Sequence, residues 1–259
     1  MAGMSEGDAD ARVRDFFGSN AELYSKSRSH ASGDDLKLLL EYLKPGAGEH
    51  AVDMATGTGF TAVEIAKKVS HVVAVDETRE MLDKARELAS GSGIANMEFL
   101  LANVNDTHMK SGSTDLITVR RAAHHFTDKA RFLAECHRIL RNGGRLGFVD
   151  MVSPEHDPED YFNRLEIARD PSHVGALPAK KWRKMIEESG FTVKKSQVHA
   201  EIISFSEWLY PVVMESAGAA RCLEIIEEML QNGKNPINYS PVERTRSKER
   251  IIIVAQKED

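Results

Sequence analysis

Four short stretches of this chain combine residue types that suit ligand chemistry, and each follows an apolar run. They are Asp53 to Gly59 (DMATGTG), Asp76–Glu77, Asn103 to Asp106 (NVND) and Arg120 to His125 (RRAAHH). Gly57 and Gly59 permit a sharp backbone turn and the close approach of a ligand, with Ala55, Thr56 and Thr58 between and before them. A helix that begins just beyond such a turn points free N–H groups and the positive end of its dipole into it. Asp76 lies about 20 residues further on, the separation at which a carboxylate accepts hydrogen bonds from a ribose diol. His124 and His125 are suited to proton transfer, because an imidazole titrates at about 6.5. Arg120 adds a charge that persists at any physiological pH.

The elements that must position these groups follow from apolar periodicity. Ala51, Val52 and Met54 form a first strand, His71 to Val75 a second, Met97 to Leu101 a third, Asp115 to Val119 a fourth and Arg145 to Met151 a fifth. Helical patterns separate them: Ala62, Val63, Ile65 and Ala66; Met81, Leu82, Ala85, Leu88 and Ala89, stopping at Gly91; and residues 128 to 140, closed by Asn142–Gly143–Gly144. Strands with nearly unbroken apolar runs, alternating with helices, predict a Rossmann-like doubly wound α/β sheet that is mostly parallel and covered on both faces. In such a sheet the ligand crevice lies beyond the carboxyl ends of the strands. All four chemical stretches then converge on one cleft.

Outside this core the pattern is less regular. A helix starting near Asp10 carries Val13, Phe16 and Phe17, and residues 20 to 35 read as a solvated connector or flap in which Tyr24 and His30 are suited to touching a ligand. The helix DDLKLLLEYLK then ends at Pro45–Gly46. Residues 152 to 178 break the alternation and read as an acceptor cap, with Arg169, Asp170 and His173 in a proline-bounded loop. Helix 179 to 189 and strand Phe191 to Val198 return to the core pattern. Residues 200 to 247 add two apolar stripes, one with Phe205, Trp208 and Leu209 and one with Cys222, Ile225, Ile226 and Met229, that suit a lid, with Trp208 against a substrate, or a homodimer contact. The resulting division is 1–45 as N-terminal helices and flap, 46–199 as ligand-binding core, 200–247 as helical insertion and 248–259 as last strand and tail.

Composition narrows the function. The chain has 259 residues, 41% of them hydrophobic, which supports a full core, and its net charge of -6 argues against a nucleic-acid partner. Cys136 and Cys222 form no paired motif, and the histidines show no helical HxxxH spacing, so no metal is expected. The N-terminus is acidic without an apolar signal core, and no run approaches a membrane span; a cytoplasmic location is the expectation.

A nicotinamide dinucleotide and S-adenosylmethionine both present a ribose diol to Asp76. Asp53 beside the glycine turn would repel a pyrophosphate and suits a ligand with an ammonium and a sulfonium, which favours S-adenosylmethionine. A nicotinamide-dependent oxidoreductase and a non-catalytic donor-binding module remain alternatives.

The DMATGTG turn, the acid of VAVDET and the segment ARFLAECHRILRNGGRLGFVD resemble those of class I S-adenosylmethionine-dependent methyltransferases, most of all the ubiquinone/menaquinone-biosynthesis-type small-molecule enzymes. The resemblance spans roughly residues 13 to 198. It implies that Asp53, Ala55, Gly57 and Gly59 line the methionine end of the donor, Asp76 the ribose and Asn103–Val104 the adenine edge; Thr56, Thr58, Glu77 and Arg120 are further candidates for contact with the donor. Asn103 stands where the family usually has an aspartate, and its carbonyl can still accept from the adenine amine. The resemblance also implies an antiparallel last strand over Arg250 to Ala255. His124, His125, Arg120 and Tyr24 are the candidates for chemistry on a small-molecule acceptor.

Overall fold

The computed structural model describes residues 6–27, 31–210 and 212–258; His30 lies outside them. Eight strands form one sheet. The strands are β1 (His50–Met54), β2 (His71–Asp76), β3 (Met97–Leu101), β4 (Thr114–Arg120), β5 (Leu140–Ser153), β6 (Leu177–Pro178), β7 (Phe191–Ser204) and β8 (Thr245–Lys257). The main order is β3-β2-β1-β4-β5-β8-β7, with the short β6 beside β5. β1 to β5 are mutually parallel, and β8 runs antiparallel to both its neighbours. The order reverses between β1 and β4, which puts the switch point between the Asp53 and Arg120 stretches.

The helices are α1 (Glu6–Ser25), α2 (Asp34–Leu43), α3 (Phe60–Ala66), α4 (Arg79–Gly91), α5 (Lys129–Ile139), α6 (Tyr161–Arg169), α7 (Ala179–Glu188), α8 (Phe205–Leu209) and α9 (Ala217–Gln231). Buried Val52, Met54, Ile117, Val119, Phe132 and Leu146 fill one face of the sheet, and Ala51, Ala62, Ile65, Val72 and Leu116 fill the other. Burial on both faces explains the continuous apolar runs. α2 lies directly on β5: a Cβ on Gly147 would sit 2.8 Å from Leu39.

Several boundaries differ from those expected. α1 is unbroken to Ser25, so Tyr24 sits on a helix and not on a solvated flap; an ion pair at 2.8 Å between Glu22 and Lys84 of α4 fastens it. β5 begins at Leu140, with an irregularity in its pairing to β4 that absorbs Asn142–Gly143–Gly144. β7 continues to Ser204 and β8 starts at Thr245, because the two strands pair with each other past the edge of β5. The apolar stripes of α8 and α9 pack with Tyr161, Phe162 and Leu165 of α6 into a second core, which satisfies them within this chain. No helix among the described residues is long and apolar enough to cross a membrane.

Candidate active site

Two cavities meet beyond the carboxyl ends of the parallel strands. The first, with about 970 Å³ of open space, takes its floor from the β1–α3 turn, where Ala55, Thr56, Gly57 and Thr58 line it. Gly57 has φ 54°, and a Cβ there would meet nothing within 4 Å, so its backbone borders open space. Its N–H donates to Asp76 Oδ2 at 2.8 Å, and Thr78 N–H donates to Oδ1 at 2.9 Å. The Thr78 side chain and the Glu77 backbone also donate to this carboxylate, which is thereby fixed at the edge of the cavity. Burial raises the Asp76 carboxyl against the pull of these hydrogen bonds.

Glu77, Asn103, Val104 and Arg120 also line this cavity. The Asn103 carbonyl, however, accepts Asn105 N–H at 2.8 Å, and its amide donates to Glu77 at 3.2 Å. The neighbouring Asn105 has a buried side-chain oxygen with no hydrogen-bond partner and lines the same cavity. Sequence reasoning missed it, although it lies two residues from a position that was singled out.

Asp53 and Gly59 require correction, since neither lines the cavity. Asp53 sits opposite Thr118 in the β1–β4 register, and its oxygens accept the Thr118 hydroxyl at 2.6 Å and the Thr56 hydroxyl at 2.7 Å. Burial pushes its carboxyl up to about 6, and the two hydroxyls tie it beneath the turn. Gly59 has φ 87°, and a Cβ on it would lie 2.9 Å from the Ala85 Cβ, so this glycine serves the close approach of α3 to α4.

The second cavity, with about 1010 Å³ of open space that runs out into solvent, lies under the α6, α8 and β8 segments. Arg169, Asp170 and Trp208 line it. Glu166 organises this wall: it accepts Trp208 Nε1–H at 2.9 Å, Arg246 at 3.2 Å and Arg169 at 3.1 Å. Burial would raise its carboxyl, but the two guanidiniums outweigh that and hold it at about 2. His173 is another correction. It is buried, its Nε2 donates to Asn163 Oδ1 at 2.9 Å, and it lines neither cavity.

Phe17, Tyr24, Arg121 and His125 line both cavities and so form their common wall. The Phe17 ring stands edge-on to His125 at 4.9 Å and to Tyr24 at 5.3 Å. His125 Nδ1 is 3.0 Å from the Ser172 carbonyl, which can only accept, so Nδ1 carries the hydrogen and Nε2 the lone pair. Burial and the adjacent His124 push the His125 pKa down to about 4, which keeps it neutral at pH 7. His124 turns its own Nδ1 to Asp150 at 2.6 Å and lines only the second cavity. The paired histidines thus have different surroundings.

Arg120 is held by Asp35, with Nε and Nη2 each at 3.0 Å. Arg121 and Asp35 were not singled out from the sequence. Arg121 adjoins a residue that was, whereas Asp35 looked like an ordinary acid in the first turn of a helix.

Comparison with known proteins bears on this arrangement. Residues 52–148 match the family model described as a methyltransferase domain. The chain is 32% identical over 195 residues to the uncharacterized methyltransferase YcgJ of Bacillus subtilis, covering 74% of this chain and 77% of that one. The YcgJ crystal structure superposes with a TM-score of 0.76 at 27% identity, over 88% of this chain and all of that one. A Bacillus halodurans protein, BH2331, gives 0.78 at 28% identity with the same coverage. The phosphoethanolamine N-methyltransferase 2 of Haemonchus contortus, solved with S-adenosylhomocysteine, shares the fold at a TM-score of 0.65 and 14% identity, over 95% of this chain and 60% of that one. The chain belongs to the S-adenosylmethionine-dependent methyltransferases of the Rossmann-like class.

Proposed function

We propose that the chain holds S-adenosylmethionine in the first cavity and methylates a small molecule in the second. The observation that carries this reading is the common wall, where Phe17, Tyr24, Arg121 and His125 face both spaces. When bound, S-adenosylmethionine supplies a sulfonium-activated methyl group for in-line displacement. The residues present fit it. Asp76 and Glu77 set two carboxylates on the wall of the cavity where a ribose diol could donate to them, and the unpartnered Asn105 side-chain oxygen suits an amine donor. Met81, Val104 and Phe126 give an apolar slot for a flat ring.

The protein's part in the reaction is placement. Alignment of two reactants can supply roughly 7–11 kcal/mol of a barrier. Phe17 and Tyr24 exclude water from the junction, and burial keeps the Tyr24 phenol protonated. His125 presents the Nε2 lone pair to an acceptor proton, which matters for a hydroxyl or an ammonium and is dispensable for an acceptor that has none to lose. Arg169, Asp170 and Trp208 line the acceptor space.

The test is incubation of the purified protein with labelled donor and a cell metabolite extract. One labelled small-molecule product, with S-adenosylhomocysteine in equal amount, is expected. Tight S-adenosylhomocysteine binding without any product across a broad acceptor panel would leave a binding module instead.

A further inference from the structure

The wall of the second cavity holds five cations and five carboxylates, yet one of the cations has no acid of its own. Arg246, Lys248 and Arg250 occupy alternate positions of β8 and therefore share one face of the strand, and all three line the cavity. Arg246 pairs with Glu166 at 3.2 Å and Arg250 with Glu201 at 2.7 Å. Glu201 lies directly across the ladder from Lys248, yet its carboxylate is turned to Arg250. Among the described residues the Lys248 ammonium makes no ion pair or hydrogen bond.

The acids around Lys248 are turned to other groups. Asp35 is shared by Arg120 and Arg121, and Glu166 by Arg169 and Arg246, so each trio is net positive. Asp150 is turned to His124, and Asp170 Oδ1 accepts the hydroxyl and N–H of Ser172. Glu249 accepts the Ser247 hydroxyl at 3.2 Å, and neither it nor Glu207 comes within ion-pair distance of Lys248. Burial and the nearby Arg250 and Arg121 push the Lys248 amine down to about 7, so an anion beside it would favour its charged form.

Arg121, Lys248 and Arg250 also line the wide groove that opens from this cavity to the surface, which places them at its mouth. The remaining wall includes Met151, Phe162 and Trp208, an apolar and aromatic surface. We propose that the methyl acceptor is an anion, with a carboxylate or phosphate held at this mouth by Lys248, Arg121 and Arg250 and an apolar body lying against Phe162 and Trp208. The proposal rests on the second cavity being the acceptor site.

The test titrates inorganic phosphate and, separately, acetate into the full chain saturated with S-adenosylhomocysteine, at constant ionic strength, by calorimetry. Saturable binding of at least one anion is expected, weakened tenfold or more in Lys248→Met, recovered in Lys248→Arg and unchanged in the distant surface variant Lys67→Met. The arm that saturates at lower concentration distinguishes phosphate from carboxylate. S-adenosylhomocysteine affinity, measured in every variant, reports that the fold and the donor site are intact. Absence of saturable anion binding to a protein that binds S-adenosylhomocysteine would overturn the anionic-acceptor proposal, as would Lys248→Met binding like the unaltered protein. Failure to bind S-adenosylhomocysteine at all would instead overturn the donor-site reading. Separately, the labelled product from the metabolite extract should be retained on an anion exchanger at pH 8; a neutral or cationic product would also overturn the proposal.

Discussion

Asp35 accepts two hydrogen bonds from Arg121, at 2.8 Å from Nε and 2.7 Å from Nη2, on the same oxygens that hold Arg120. Adjacent residues of an extended strand face opposite ways. Arg121 has φ 57°, and this left-handed residue breaks the strand so that both guanidiniums reach one carboxylate. Such a conformation costs about 1–3 kcal/mol and persists only where its surroundings hold it. Asp35, fixed on α2 against β5, is that hold.

Replacing Asp35 with Ala leaves two buried guanidiniums without their carboxylate. Loss of one partner of a buried ion pair costs about 3–5 kcal/mol, and a stability loss of that order is expected from urea denaturation. A change below about 1 kcal/mol would mean that Arg120 and Arg121 find other partners at little cost.

Asp76→Ala removes the carboxylate that faces the first cavity and receives Gly57 and Thr78. Hydrogen bonds to charged groups contribute about 1.5–3 kcal/mol, so S-adenosylhomocysteine affinity should fall roughly 10- to 150-fold by calorimetry. Unaltered affinity would remove Asp76 from the donor site.

His125 and His124 should separate kinetically. His125→Ala is expected to lower turnover by about 100-fold or more if the acceptor loses a proton, with S-adenosylhomocysteine affinity within threefold of the unaltered protein. His124→Ala, which uncovers the buried Asp150, should show mainly as lost stability. Normal turnover in His125→Ala would assign that residue to packing against Phe17.

Acid should weaken the fold through its buried neutral histidines. Burial, with help from neighbouring His124, pushes His125 down to about 4 and His173 to about 3, whereas an unfolded imidazole titrates at about 6.5. Between those values the unfolded chain binds more protons, so these groups lower stability as pH falls through that window. Asp53, raised to about 6, acts oppositely between about pH 6 and its unfolded pKa of about 3.9, so the comparison must isolate one histidine. The stability of the unaltered protein relative to His173→Gln should decline steadily from pH 6.5 to pH 4.5. A difference that is flat with pH would show that His173 is charged in the fold.

The parallel strands and the polar residues that end them were legible because each strand is buried on both faces and reads as an unbroken apolar run. The same burial hid which way Asp53 points: a strand covered on both sides has no polar face to set the alternation, and Asp53 turned to Thr118 instead of the cavity. Gly59 was recognised as necessary, but its reason, the Ala85 Cβ on α4, belongs to a helix not adjacent in sequence. Asp35 meets its arginines across 85 and 86 residues, a pairing no local pattern encodes. Arg246 and Lys248 were passed over because β8 was expected to start at Arg250, which left Arg246 in the expected insertion and Lys248 before the strand.

The described residues lining the first cavity all fall between Asp10 and Thr127, whereas most of the second cavity's wall comes from Asp150 onward. The antiparallel run of β8 makes this division possible, because it carries the start of a late strand to the rim where the early strands end. If the two cavities serve donor and acceptor as proposed, substitutions from Asp150 onward would reshape the acceptor space while leaving untouched every residue that lines the first cavity.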